Sequence, residues 1–191
     1  PSPLPDRSGR YLALLLDCLA RERREAPERV RPVLEELARL DAPDPRIYRW
    51  LGLEAHRRGD EAEAISHFER AVRLAPRSAP DLFDLATLYL LAERYPEAIR
   101  TFDRVIRLQP PFLDDAYAYL GYCLDRMGAA AEARRAWRTA LELDPDNAVA
   151  RRYLSEAGLS PPPAAGGPGA AAPGAPPPRP PAPGAPGPGG R

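Results

Sequence analysis

From Asp44 onward, apolar residues recur at intervals of three and four, in runs separated by short polar or glycine-containing breaks. That spacing places them on one face of a helix. It predicts helices over residues 45–58, 61–74, 80–92, 95–108, 114–127 and 129–143. Gly59-Asp60, the neighbourhood of Arg94, and Gly128 form the tight turns inside successive pairs, and glycine suits the left-handed residue that ends a helix. Upstream, Tyr11, Leu12, Leu15, Leu16 and Leu19 mark an amphipathic helix from Arg10 that runs into the charged stretch Arg21 to Glu25. A second helix opens at Pro27, a favoured first-turn residue, and sets Val30, Leu34, Leu37 and Leu40 on one face. Beyond Pro145, Asp146 or Asn147 caps a last helix to about Ala157, with Val149, Tyr153 and Leu154 covering the end of the array.

The paired helices repeat. Pro76, Pro110 and Pro145 close the segments ERAVRLAP, DRVIRLQP and RTALELDP, at intervals of 34 and 35 residues. A period of this size marks a repeat protein, in which each unit buries its apolar face on its neighbours. Aligned, the units open on Tyr48, Leu82 and Tyr117, followed by Leu51, Leu85 and Leu120, each beside a small residue, Gly52, Ala86 or Gly121. Ala55, Tyr89 and Leu124 continue that face. In the second helices Ala64, Ala98 and Ala133 precede Phe68, Phe102 and Trp137, and then come Ala71, Val105 and Ala140. Small residues let two backbones approach, the aromatic fills the remaining space, and the proline turns the chain into the next unit. Each of these is a packing role.

With these slots filled together three times, residues 44–147 resemble the tetratricopeptide repeat family. Ala55 and Ala86 depart from the family's usual aromatic and glycine, and Pro111 adds a residue at one junction. The resemblance implies an all-α right-handed superhelix of three helix-turn-helix repeats. Segments 44–77, 78–111 and 112–145 are the repeats, 10–43 an N-terminal helical hairpin, a cap or a degenerate repeat, and 146–160 a capping helix. It also implies a concave groove, lined by the first helices, that takes a partner peptide or helix. The groove-facing stripes are then Arg46, Arg49, Leu53, His56 and Arg57; Phe83, Thr87, Leu90 and Leu91; and Asp115, Tyr119, Tyr122, Asp125 and Arg126. Arg49 would supply charge, and Phe83, Leu90, Tyr119 and Tyr122 contact area. Members that grip chaperone C-terminal carboxylates use Lys, Arg and Asn in the groove. The corresponding sites here include Arg49, Leu53, Asp84, Asp115 and Tyr119; only Arg49 suits a carboxylate, which sets that specificity aside.

Composition adds limits. The 27 basic and 27 acidic side chains balance, which gives no electrostatic case for nucleic acid. Every basic residue is Arg, a bias that points to a GC-rich, bacterial source and leaves no lysine chemistry. Half of the 26 prolines lie in residues 161–191, a stretch of Pro, Gly, Ala and two Arg without a large apolar side chain. Such a stretch has nothing to bury against its ordering entropy and is expected to be a disordered tail, as is the lead of residues 1–9. The PPPRPPAP run within it has the spacing of a polyproline ligand, although Pro-rich composition alone accounts for the spacing, and a spacer is the simpler reading.

No catalytic, cofactor or metal constellation is legible. His56 and His67 lack ligands at metal spacing, and Asp114-Asp115 serve a helix start. Cys18 and Cys123, about a hundred residues apart in helical patterns, read as buried free thiols. The alternating Arg and Glu from Arg21 to Arg31 read as a salt-bridged exposed face. The run YLALLLDCLA falls short of the roughly 20 apolar residues that cross a bilayer. With no export signal in view, the expected compartment is the cytoplasm. The expectation for function is a non-catalytic protein-interaction module, a scaffold or adaptor with no cofactor. The alternatives are a small secretion-type chaperone and an accessory region of a larger enzyme.

Overall fold

A computed structural model describes residues 27–158. The expected lead at 1–9, the helix from Arg10 with Cys18, and the tail at 161–191 lie outside the described residues. Among the described residues there are eight helices and no strand: α1 Pro27–Arg39, α2 Pro45–Arg58, α3 Glu61–Leu74, α4 Ala79–Leu91, α5 Tyr95–Arg107, α6 Leu113–Arg126, α7 Ala130–Leu143 and α8 Ala148–Glu156. They fall into two compact units that divide between Ala75 and Pro76.

The first unit holds α1 to α3. Its core is Val30, Leu34, Ile47, Tyr48, Leu51 and Ala71, with Leu37, Ala38, Ala42, Trp50 and Leu74 packed against it. Leu40 does not join that face, as the periodicity would have it, and is 63% exposed. The helix stops one residue earlier, at Arg39, and Asp41 turns into the left-handed region with φ 54°. The reversal is closed by bonds from the Asp41 and Ala42 amides to the Ala38 and Leu37 carbonyls, and it carries Leu40 outward. The Asp41 carboxylate then accepts hydrogen bonds from the Tyr48 hydroxyl and from Arg70 on α3, whose guanidinium lies over the Tyr48 ring.

Local chemistry fixes the hairpin that follows. Asp44 caps α2 by accepting from the Arg46 amide at 2.9 Å, and Pro45 occupies the first turn. At the other end Gly59 adopts φ 82°, and its amide and that of Asp60 bond back to the His56 and Ala55 carbonyls. Asp60 in turn caps α3 through the Glu63 amide. Gly52 faces Phe68 so closely that an added Cβ would lie 2.7 Å from the ring.

The second unit holds α4 to α8 and repeats the device. Phe102 is fully buried, as are Leu82, Ala86 and Ala98 of the same hairpin. Trp137 sits against Gly121, and its indole N–H donates to the Ala118 carbonyl at 3.1 Å. The α4–α5 turn and the junction after α5 lack glycine: Glu93 and Gln109 take positive φ, 57° and 52°, and the Arg94 amide bonds to the Tyr89 carbonyl to close the α4–α5 turn. Asn147, not Asp146, caps α8, accepting from the Ala150 amide at 3.0 Å. Val149 and Leu154 are buried beneath α8, and Tyr153 stacks on Trp137 at 5.5 Å and 15°.

Gly121→Ala would place a methyl 2.6 Å from Trp137 Cδ1. The indole is held by its own hydrogen bond, so it cannot yield without leaving its buried N–H unpaired. The expected loss is about 1–3 kcal/mol, read as a lower Tm in a circular-dichroism melt. An unchanged melt would contradict the close approach of α6 and α7.

Candidate functional site

In the first unit the predicted groove residues lie on α2. Arg46, Arg49, Leu53 and His56 succeed one another at intervals of three and four and are all half-buried. Arg46 pairs with the capping Asp44, Nη2 to Oδ2 at 2.9 Å, and Arg57 pairs with Glu54 on its own helix. The charge on this face is therefore partly answered within the helix.

In the second unit the predicted residues separate into two groups. Phe83, Thr87, Leu90 and Tyr119 are all buried. Phe83 meets Phe102, Phe112 and Tyr119 edge-to-face, with ring centroids 5.7, 5.2 and 5.9 Å away. Tyr119 also stacks on Phe102 at 6.2 Å and 14°. Burial drives the Tyr119 hydroxyl well above the usual tyrosine range. These rings, expected to offer contact area, are already packed on one another. Tyr119 and Tyr153 occupy the same repeat slot, and each stacks on the aromatic of the preceding second helix, Phe102 and Trp137 respectively. That repeated stack is an interior joint.

Asp115, Tyr122 and Arg126 form the second group. Asp115 is half-buried and accepts from Asn147 Nδ2 at 3.0 Å, while the same amide donates to Asp114 at 2.9 Å. One side-chain amide thus bridges two carboxylates at the start of α6 to the start of α8. Burial chiefly, and then the neighbouring Asp114, raise the Asp115 pKa, with Asn147 opposing. Tyr122 lies half-exposed between two more tyrosines, 6.4 Å from Tyr95 and 5.2 Å from Tyr153. Arg126 is exposed; its Nε donates to the Tyr95 hydroxyl at 3.3 Å and its guanidinium lies 5.7 Å from that ring. Arg152 lies 5.5 Å over Tyr153 and pairs with Glu156 at 2.8 Å.

The result is a ribbon, Tyr95–Tyr122–Tyr153, on three elements of the second unit, with arginine against both ends. Sequence reasoning assigns only Tyr122 and Arg126 to it. Tyr95 is visible as the residue opening α5 and Tyr153 as a cap residue, but no spacing along one helix links them. Aromatic rings alternating with arginine form adaptable contact surfaces for another polypeptide. Among the described residues no cluster of three or more His, Cys, Asp or Glu has metal-binding geometry, and no helix is long and apolar enough to cross a membrane.

Models described as tetratricopeptide repeat match residues 19–79, 55–121 and 114–147 in overlapping succession. The chain belongs to the tetratricopeptide repeat family. Its class is therefore the all-α helical repeat, and protein–protein interaction is the function that such repeats perform. The chain is 26% identical over 113 residues to the CTR9 homolog of Arabidopsis thaliana, covering 59% of itself and 10% of that protein. To the Hsp70-Hsp90 organizing protein of Triticum aestivum it is 29% identical over 106 residues, 56% of itself and 18% of that protein. It thus spans a tenth to a fifth of the length of these relatives. Among solved structures a MamA RS-1 double mutant aligns with TM-score 0.65 and 24% identity, covering 75% of this chain and 81% of that one. YrrB, described as a TPR protein with an unusual peptide-binding site, aligns with TM-score 0.62 and 18% identity, covering 69% and 68%. At these identities the structural likeness concerns the fold.

The Asp115 environment gives a pH signature. A carboxyl whose pKa is raised on folding opposes stability once ionised, so its favourable contribution is present at low pH and lost as pH rises through the folded value. Asp115→Asn keeps an acceptor for Asn147 and removes the charge beside Asp114. The variant should melt above wild type at pH 7. The gain should shrink as pH falls toward and below 3.8, the ordinary aspartate value, as wild type takes up a proton at Asp115 as well. A gain that is independent of pH would assign the effect to something other than the charge.

Proposed function

We propose that this chain is a non-catalytic scaffold or adaptor, working in the cytoplasm, that binds an extended peptide or a helix of a partner protein on the first helices of its repeats, segments 44–77, 78–111 and 112–145. The observation that carries this reading is the half-exposed Tyr122, flanked by Tyr95 and Tyr153 with the exposed Arg126 beside it. On α6 the binding residues are Tyr122 and Arg126, with Asp115 at the far end of the same face. On α2 they are Arg46, Arg49, Leu53 and His56. Phe83, Thr87, Leu90 and Tyr119 act behind the α6 face by holding α4, α5 and α6 in place.

The protonation behaviour supports a packing role for the interior groups. Burial pushes the Cys123 thiol and the Tyr153 hydroxyl up to about 12, the direction opposite to what a nucleophile at neutral pH needs. The peptide-binding site named for YrrB supports a peptide as the ligand class. The buried Asp84 and the half-buried Asp115 count against an acidic peptide.

The test is affinity capture from extracts of the source organism, with wild type and Tyr122→Ala/Arg126→Ala as baits. The variant should lose specific partners while its melt stays within a few degrees of wild type, since both side chains are at least partly exposed. Equal recovery by both baits would remove the α6 face from the reading. Phe83→Ala is the contrasting variant: it should cost about 3–5 kcal/mol of stability, in line with a buried ring rather than a contact residue.

A further inference from the structure

We propose that the chain's own proline-rich segment, Pro176 to Pro181 (PPPRPP), docks in cis on the Tyr95–Tyr122–Tyr153 ribbon. The inference does not depend on any partner binding α6.

Three observations point to this occupant. The first is the shape and chemistry of the ribbon. Its rings are half-exposed and succeed one another at 6.4 and 5.2 Å, a span comparable with one polyproline turn of three residues, roughly 9 Å. Polyproline segments dock on aromatic-lined surfaces because the extended helix is largely preformed and little entropy is lost on binding.

The second observation is hydrogen-bonding capacity. Proline lacks an N–H, so this segment offers carbonyl acceptors and almost no backbone donors. At the Tyr95 end the surface supplies a donor, the exposed Arg126 guanidinium. A guanidinium beside the rings and an acceptor-only strand are complementary.

The third is charge and reach. Asp125 is exposed on α6, three residues beyond Tyr122 and so on the same side of the helix. The proline run is interrupted at Arg179, which supplies the matching charge. The described chain leaves α8 at Gly158, shortly past Tyr153. A flexible chain of the length between Gly158 and Pro176 would have a root-mean-square extent of roughly 23 Å, ample to return to a surface that begins on α8 itself. Tethering on this scale gives an effective concentration in the millimolar range, so even a millimolar contact would be about half occupied.

The test uses the full chain throughout. Amide and aromatic NMR signals are compared between wild type and a variant with Pro176, Pro177, Pro178, Pro180 and Pro181 all replaced by Gly. Shifts concentrated at Tyr95, Tyr122 and Tyr153 are expected. A synthetic peptide of residues 174–185 added to the variant should restore the wild-type positions saturably at millimolar concentration. Asp125→Arg should weaken the contact several-fold, and Asp125→Arg combined with Arg179→Asp should recover it. Spectra of wild type and variant that coincide at the three tyrosines would overturn the proposal, even if the peptide bound, since the surface would then serve another chain's segment. Shifts that disappear on tenfold dilution would also overturn it, by showing that a second copy supplies the segment.

Discussion

The structure depends on one packing device: a large aromatic on each second helix, inserted where the first helix carries almost no side chain. Phe68 lies against Gly52 and Trp137 against Gly121, and in both cases a single methyl would collide with the ring. Ala86, fully buried, stands in the equivalent repeat position in the hairpin of Phe102, where the gap admits one methyl. Close backbone approach and ring insertion need each other. Without the ring the gap is a cavity, and without the small residue there is no gap. In the second unit the same ring has another duty, because a tyrosine from the following element stacks on it. Phe102 takes Tyr119 and Trp137 takes Tyr153 at nearly the same angle, 14° and 15°. The aromatic therefore joins helices within a repeat and repeats to one another.

This double use explains how much is legible in sequence. Helix ends are readable where the chain carries its own punctuation. Asp44, Gly59 and Asp60 fix the first hairpin by capping bonds that act over a few residues, and α2 and α3 span the expected 45–58 and 61–74. Where capping depends on context, boundaries shift by a residue, as at α4 and α5, whose C-terminal ends rest on Ala92 and Leu108 without glycine. Leu40 shows the same limit: its periodicity is helical, but the reversal at Asp41 is held by Tyr48 and Arg70, which lie beyond the helix that the periodicity describes.

The candidate site is less legible, for a related reason. A stripe on one helix cannot distinguish a groove from an interface with the next repeat. Phe83 and Tyr119 both look like large rings on an outward stripe, yet they are not equivalent positions. The added Pro111 lengthens the junction, so the residue in the slot of Phe83 is the small, fully buried Ala118, and Tyr119 falls in the slot of Asp84. Tyr95 and Tyr153 escape a reading by stripes because they join Tyr122 only across helices, a relation without sequence period.

Once the repeating residues and the stacked tyrosines are assigned to packing, the features left to select a partner are few and do not repeat. Tyr122 has no ring counterpart in the other repeats, where Leu53 and Thr87 take the corresponding places after Gly52 and Ala86. Its neighbours on α6, Asp125 and Arg126, are adjacent and opposite in charge. Such a surface has little net charge to steer an ion over distance, so discrimination falls to short-range complementarity: ring faces and the guanidinium groups beside them. The neutral chain as a whole points the same way. A ligand suited to this surface is one that presents flat apolar faces and carbonyl acceptors in an extended backbone, which is the physical description of a proline-rich strand and of few other polypeptide conformations.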